Sequence, residues 1–319
     1  MSERISRSPP YYQGEALVVA CDLYEKLTWV SNMCERFITF IQGCTVPQFM
    51  KLRDAVHDIE PVGRAFNVWI LGMKEDNLNE KDAVTELQRN IAVLEHLSSI
   101  HLQDNLEGYS QELPMKVQIM QSHLDTTVSI VLNMRLAVLE NIKPTFDEEE
   151  LASGFLKAAE GMISNGRHTK VFITKILRAL QNHQKRYLTL KLETRPAFQE
   201  CLDLTGKIAK YIRVLGMGVA GFLAPNEEEN KTFIKLQNVM YKTTEAEMTM
   251  MESDFFGAIS KDLKTLGGLL GDLAAQAGDL DMTAECKCSF HLFDWGVRLI
   301  SLVGKLNLER RHGLLALRS

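Results

Sequence analysis

Cys286, Cys288 and His291 place three soft metal ligands within six residues, a C-x-C-x-x-H spacing. A structural zinc site takes four ligands, usually as two separated pairs, and only a distant residue such as His312 could complete this set. On a helix, positions 286 and 288 would point roughly 200° apart, so the trio could chelate only from a loop. It is a weak metal candidate, with a redox-sensitive cysteine pair as the competing chemistry and incidental cysteines as the plainer reading. Gly216-Met217-Gly218-Val219-Ala220-Gly221 matches the G-x-G-x-x-G string of dinucleotide-binding turns. That string works when its last glycine opens a helix whose N-terminus holds the pyrophosphate. Here Pro225 follows at once, and Glu227 to Glu229 would repel the phosphates. The glycines are better explained as points where two helices approach closely.

Two acidic patterns complete the inventory. Asp147 to Glu150 suits the first turn of a helix, where carboxylates face the positive end of the dipole; a cation-binding cluster is the sharper alternative. Asp54-Ala55-Val56-His57 is the nearest approach to the Glu-x-x-His of di-iron bundles, and it has no counterpart elsewhere. There is no G-x-S-x-G and no aspartate-rich magnesium motif. The expectation is a protein without cofactor, more consistent with contact than with catalysis.

Composition supports that direction. Of 319 residues, 45% are hydrophobic and 24% charged, which is enough apolar side chain to offset the entropy lost on folding. With 36 Lys and Arg against 41 Asp and Glu, the net charge of −5 has the wrong sign for bulk attraction to nucleic acid. Six scattered cysteines are too few for a disulfide scaffold and fit a reducing compartment. Val18 to Cys21 matches the short pattern before a lipid-modified cysteine, but Pro9, Pro10, Gln13 and Glu15 interrupt the apolar run such a signal needs. No uncharged stretch reaches the ~18–20 residues of a membrane span. The expected location is the cytoplasm.

The elements that must position these residues read as helices. Ala20, Leu23, Leu27, Val30, Cys34, Phe37 and Ile41 recur at three and four, and so do Val117, Met120, Leu124, Val128, Val131, Met134, Val138 and Ile142. Gly43 with Pro47, Pro61, Gly108 to Pro114, Pro144, Asn165-Gly166, Pro225 and Gly278 punctuate the pattern. Asn79 is a candidate N-cap and Pro196 a candidate helix start. No run alternates with period two between hairpin signals, so strands are not expected. The fold class is all-α: an elongated multi-helix bundle of long antiparallel helices. Residues 1–13 are read as a flexible N-terminal tail and 14–319 as one domain, with a subdivision near 144–147 or 225 as the alternative.

Two apolar segments carry the functional expectations. Residues Phe293, Trp295, Val297 and Ile300 lie on a strongly apolar amphipathic segment ending in Arg310 and Arg311, either a helix buried in the bundle core or a docking element for a partner or a membrane interface. Leu215, Val219, Phe222 and Leu223 form an apolar Gly-rich stretch that is either a helix contact or a hidden membrane tip. In coarse layout alone, with no motif behind it, the chain resembles the soluble helical pore-formers. That resemblance implies a membrane-active protein. The leading reading is a non-enzymatic helical bundle acting by protein–protein contact, as adaptor, scaffold or regulator, with self-association included. The alternatives are the pore-forming class and a helical enzyme or apolar-ligand carrier.

Overall fold

The computed structural model describes residues 10–286 except 54, 76, 103, 225–230 and 249–254. Among the described residues are nine α-helices: α1 (Pro10–Gly43), α2 (Val46–Lys51), α3 (Ala55–Lys74), α4 (Glu80–His101), α5 (Leu106–Asn141), α6 (Glu149–Lys185), α7 (Arg195–Leu223), α8 (Phe233–Met248) and α9 (Phe255–Gly278). The all-α expectation holds. α1 begins at Pro10, within the stretch read as tail, and proline suits a first helical turn because the N–H it lacks would have no partner there. The Asn79 side chain caps α4 through the Lys81 and Asp82 amides, and Asn105 caps α5 through Gly108.

Several expected breaks are instead interior residues. Pro61 lies in α3 and Pro114 in α5. A proline inside a helix removes one backbone hydrogen bond at a cost of about 3 kcal/mol, and around Pro114 the complete burial of Leu113 and Val117 outweighs it. Asn165-Gly166 lies within α6. A Cβ on Gly166 would sit 2.7 Å from Val128 Cγ2, so this glycine marks a close crossing of α5 and α6.

Helices consecutive in sequence run antiparallel where cross-links define them. Lys170 pairs with Asp125 and Arg135 with Glu160 across α5 and α6. α5 and α7 run parallel, matched by Tyr109 with Thr194 and His123 with Thr205. α6 and α9 also run parallel, from Thr169 against Gly267 to His183, whose Nε2 bonds the Ala277 carbonyl at 2.7 Å. Two hydrophobic clusters result. The larger joins the start of α1 with α5 to α9; the smaller joins the rest of α1 with Leu52, α3, α4, and Met115 and Ile119 of α5. Among the described residues the one departure from all-helix is a ribbon in which β1 (Leu188–Leu190) pairs antiparallel with β2 (Thr283–Glu285). Three residues are too few to show period-two alternation. The ribbon is bounded by Tyr187, at φ 59°, whose carbonyl accepts the Cys286 amide at 2.8 Å.

A buried polar knot fixes α1 against α7. Arg213 is ion-paired with Glu25 and lies 3.6 Å from Asp22, which also holds Lys26 at 2.7 Å. Burial raises the Glu25 carboxyl pKa above the ordinary carboxylate value, and the guanidinium only partly opposes this. His123 bonds Thr205 Oγ1 at 3.1 Å, and burial, with Arg213 adding to it, pulls the imidazole down to about 4.

Three outcomes follow. Gly161→Ala, with open space at its Cβ, raises stability by about 0.5–1 kcal/mol, whereas Gly166→Ala, which forces the stiff Val128 to move, lowers it, by up to ~2 kcal/mol. Both are read by urea denaturation. Arg213→Met leaves Glu25 buried without its cation and costs about 3–5 kcal/mol at pH 7. That deficit shrinks as pH falls, because the raised pKa lets Glu25 take up a proton. His123 is neutral in the fold down to about 4, while the unfolded imidazole protonates near 6.5. The unfolded state therefore binds more protons between these values, and stability falls as pH drops from 6.5 to 4. The slope is at most about 1.4 kcal/mol per pH unit, and His123→Gln flattens it.

Candidate interaction surface

The glycine string lies wholly within α7. A Cβ on Gly216 would come within 2.6 Å of Ile130 Cγ2 and 3.0 Å of Val18 Cγ2, and one on Gly218 within 2.9 Å of Thr243 Oγ1. These two glycines are where α7 meets α5, α1 and α8, which is the geometry of a helix contact. Leu215, Val219 and Leu223 are buried in the larger cluster and Phe222 packs against it half-buried. Cys286 is buried at the end of the ribbon. Cys288 and His291 lie outside the described residues, as do Phe293, Trp295, Val297, Ile300, Arg310 and Arg311. Among the described residues, no group of three or more His, Cys, Asp or Glu is arranged to hold a metal ion.

Within the acidic run, Glu148 is buried. One carboxylate oxygen accepts the Thr145 amide at 3.1 Å and the other accepts the Ile234 amide at 3.0 Å. Those backbone donors hold its pKa below the ordinary carboxylate value. A single side chain thus serves the turn before α6 and the first turn of α8. Sequence spacing suggested a helix-start carboxylate here, but the second partner, 86 residues away, has no local signal.

The exposed apolar side chains concentrate at the end of α1 and through α2 and α3. They include Ile38, Ile41, Val46 at 75% exposure, Phe49 at 54%, Met50, Val68 and Leu71. Phe37 and Leu52 are both buried in the smaller cluster and bracket α2, so this short helix is anchored at each side. None of its own residues is buried. Gln48 Oε1 accepts the Thr45 amide at 2.8 Å and fixes the first turn. The α1 stripe read from sequence included Cys34 and Ile41, and the fold exposes both. Over 34 residues, a stripe spaced by threes and fours drifts around a 3.6-residue helix and leaves the contact line. Exposed apolar groups of this size are the kind of feature that interaction sites use.

Charged groups border this end. Arg195 lies 4.8 Å above the Tyr109 ring and pairs with Asp104 and, at 3.6 Å, Glu112. Glu112 is held by Lys116 at 2.6 Å, and Tyr109 exchanges a 2.8 Å hydrogen bond with Thr194. Burial pushes the Tyr109 hydroxyl up to about 12. Among the described residues Arg36 has no carboxylate within ion-pair distance; its Nη1 approaches Met115 Sδ at 3.8 Å, and its Nε is buried without a partner there. Desolvation lowers its pKa, and Arg195 adds to the effect, while Glu112 opposes it. Sequence reading placed Ile41 in a buried stripe and gave Ile38, Val46, Phe49, Met50, Val68 and Leu71 no role.

Comparison with known proteins gives the same region a context. The family described as "Dynactin: Dynein associated protein" matches residues 1–180, which take in α1 to α5 and most of α6. Dynactin subunit 1 of Xenopus laevis is 23% identical over 237 residues, 73% of this chain and 19% of that protein. The chain thus spans about a fifth of that relative's length. With more than half of its residues matched, including the whole of the exposed α2 and α3 surface, the chain belongs to the dynactin family of dynein-associated proteins.

Proposed function

We propose that this chain is a non-enzymatic contact module, an adaptor or scaffold element of a dynein-associated assembly in the cytoplasm, and that the end of α1, α2 and α3 form its contact surface. The observation that carries the reading is α2: pinned between two buried residues, yet presenting Val46, Phe49 and Met50 to solvent. Burying one such side chain against a partner contributes about 1.5–3 kcal/mol, so three of them suffice for a specific contact. Family membership over the same residues supports it. Among the described residues no helix is long and apolar enough to cross a membrane. The segment with Phe293, Trp295, Val297, Ile300, Arg310 and Arg311 is proposed, on its sequence pattern, as a further contact element.

The test is co-elution of the purified chain with purified dynein and dynactin by size exclusion, with affinity measured by interferometry. The triple variant Val46→Ser, Phe49→Ser, Met50→Ser is expected to keep its helical circular dichroism and melting profile and to lose binding at least tenfold. Absence of wild-type binding to either complex, or equal binding by the variant, overturns the proposal.

A further inference from the structure

We propose that a groove between α6 and α9 is a second docking site, which receives one large apolar side chain of an acidic peptide segment. Carboxylates beside that side chain meet Lys175 on one bank and Lys264 on the other. The site shares no residue with the α1–α2 contact surface and stands or falls separately from it.

The groove exists because α9 lacks side chains where it passes α6. Gly267 and Gly268 lie inside α9, where each glycine costs about 1 kcal/mol relative to alanine. Crowding does not require them: a Cβ on Gly267 would stand 3.5 Å from Thr169 Oγ1, an ordinary contact, and one on Gly268 would meet nothing within 4 Å. What they leave is a space of about 280 Å³, open to solvent and lined by Asn165, His168, Thr169, Phe172, Leu263 and Lys264. That is just below the roughly 300–1,000 Å³ of small-molecule pockets and suits a single side chain entering from a partner. Apolar contact comes from Leu263 and from half-buried Phe172, whose ring stands edge-on to His168 at 5.3 Å.

Charge gives the sign of what surrounds that side chain. Between Glu160 and Glu193 the chain carries seven Lys and Arg and no acidic residue, so even with both glutamates counted the stretch is +5 in a protein of net −5. Lys170 is neutralised by Asp125, and Glu160 is already held by Arg135. Lys175 and Lys264 are exposed, and among the described residues neither has a carboxylate within ion-pair distance. Both are placed at the groove: Lys264 lines it, and Lys175 Nζ lies 5.5 Å from the centre of the Phe172 ring. The carboxylates of α9 itself are Asp262, which Lys207 holds at 3.2 Å, and exposed Asp272. An extended polyanion, whether a membrane sheet or a nucleic acid, reaches beyond the groove to a chain that carries −10 outside this stretch. A short acidic peptide meets the two lysines alone, and its apolar side chain uses Phe172 and Leu263, which a phosphate backbone would not.

The experiment uses the full chain and an unlabelled 12-residue peptide, Glu-rich with one central Phe, followed by isothermal titration calorimetry. One-to-one binding is expected, weakening about tenfold between 50 and 300 mM salt. A peptide with Ala in place of Phe is expected to bind at least tenfold more weakly, and one with Lys in place of Glu not to bind. Gly268→Leu puts a side chain into the groove, where a Cβ meets nothing within 4 Å, and removes a helix glycine. It is expected to raise the melting temperature and to lose the peptide. Lys175→Glu with Lys264→Glu, both at exposed positions, is expected to weaken binding tenfold or more with helical circular dichroism unchanged. The Val46→Ser, Phe49→Ser, Met50→Ser variant is expected to bind this peptide as the wild type does, which separates the groove from the α2 surface. Absence of saturable binding overturns the proposal, as does binding that survives either Gly268→Leu or the lysine changes, or that the α2 variant abolishes. So does association with vesicles containing 30% phosphatidylserine, or with a DNA duplex, that the lysine changes abolish, since the face would then be a lipid or nucleic-acid site.

Discussion

Seventeen residues of one helix, α5, are buried, and the remainder of the fold is arranged around that fact. At 36 residues α5 runs about 54 Å, too long for one layer of neighbours to cover. Tyr109, Val117, Leu124 and Ile130 face the larger cluster, while Met115 and Ile119 face the smaller. Covering both faces needs α1, α6 and α7 together. α1 is correspondingly long and itself passes from one cluster to the other between Cys21 and Leu23. The chain is organised less as a row of equal helices than as a central strut with partners on every side.

Apolar stripes alone do not set the register of such an arrangement, because a helix can slide by a turn and still bury leucines. Fixed points come from groups that must find one partner. Arg213 with Glu25 sets α7 against α1, His183 with the Ala277 carbonyl sets α6 against α9, and Gly216 and Gly166 admit crossings at single positions. Glu148 performs the same role at the ends of elements, holding the amides of Thr145 and Ile234 with one carboxylate. Buried ionic groups contribute little net stability against an apolar substitute, but mismatching them is costly, and that penalty falls on the wrong registers.

The helical character of this chain was legible because it rests on local periodicity, and the cap at Asn79 and the helix start at Pro196 were legible because they too are local. What local spacing misjudged was punctuation. Pro114 and Asn165-Gly166 read as breaks, yet each sits where tertiary contacts outweigh a local cost. The glycine string, read as a helix contact, is one. The surface itself was not legible: Cys34 and Ile41 share spacing with buried Val30 and Phe37, and only the drift of a long helix past its neighbours separates them.

The small ribbon has a temporal consequence. It pairs residue 190 with residue 283, and the same stretch of chain supplies α9, which lies along α6. During synthesis α6 therefore emerges long before the element that covers it. Until α9 arrives, the face carrying Ile173, Ile176 and Leu180 must stay exposed or be held by something else. The smaller cluster has no such wait, since its buried residues all lie between Leu23 and Ile119. Of the two paired strands, the second is thus also the later to emerge, so the ribbon can close only once residue 285 has been made. A chain interrupted before residue 283 would present the α1–α2 surface intact while leaving α6 without the lock that finishes the fold.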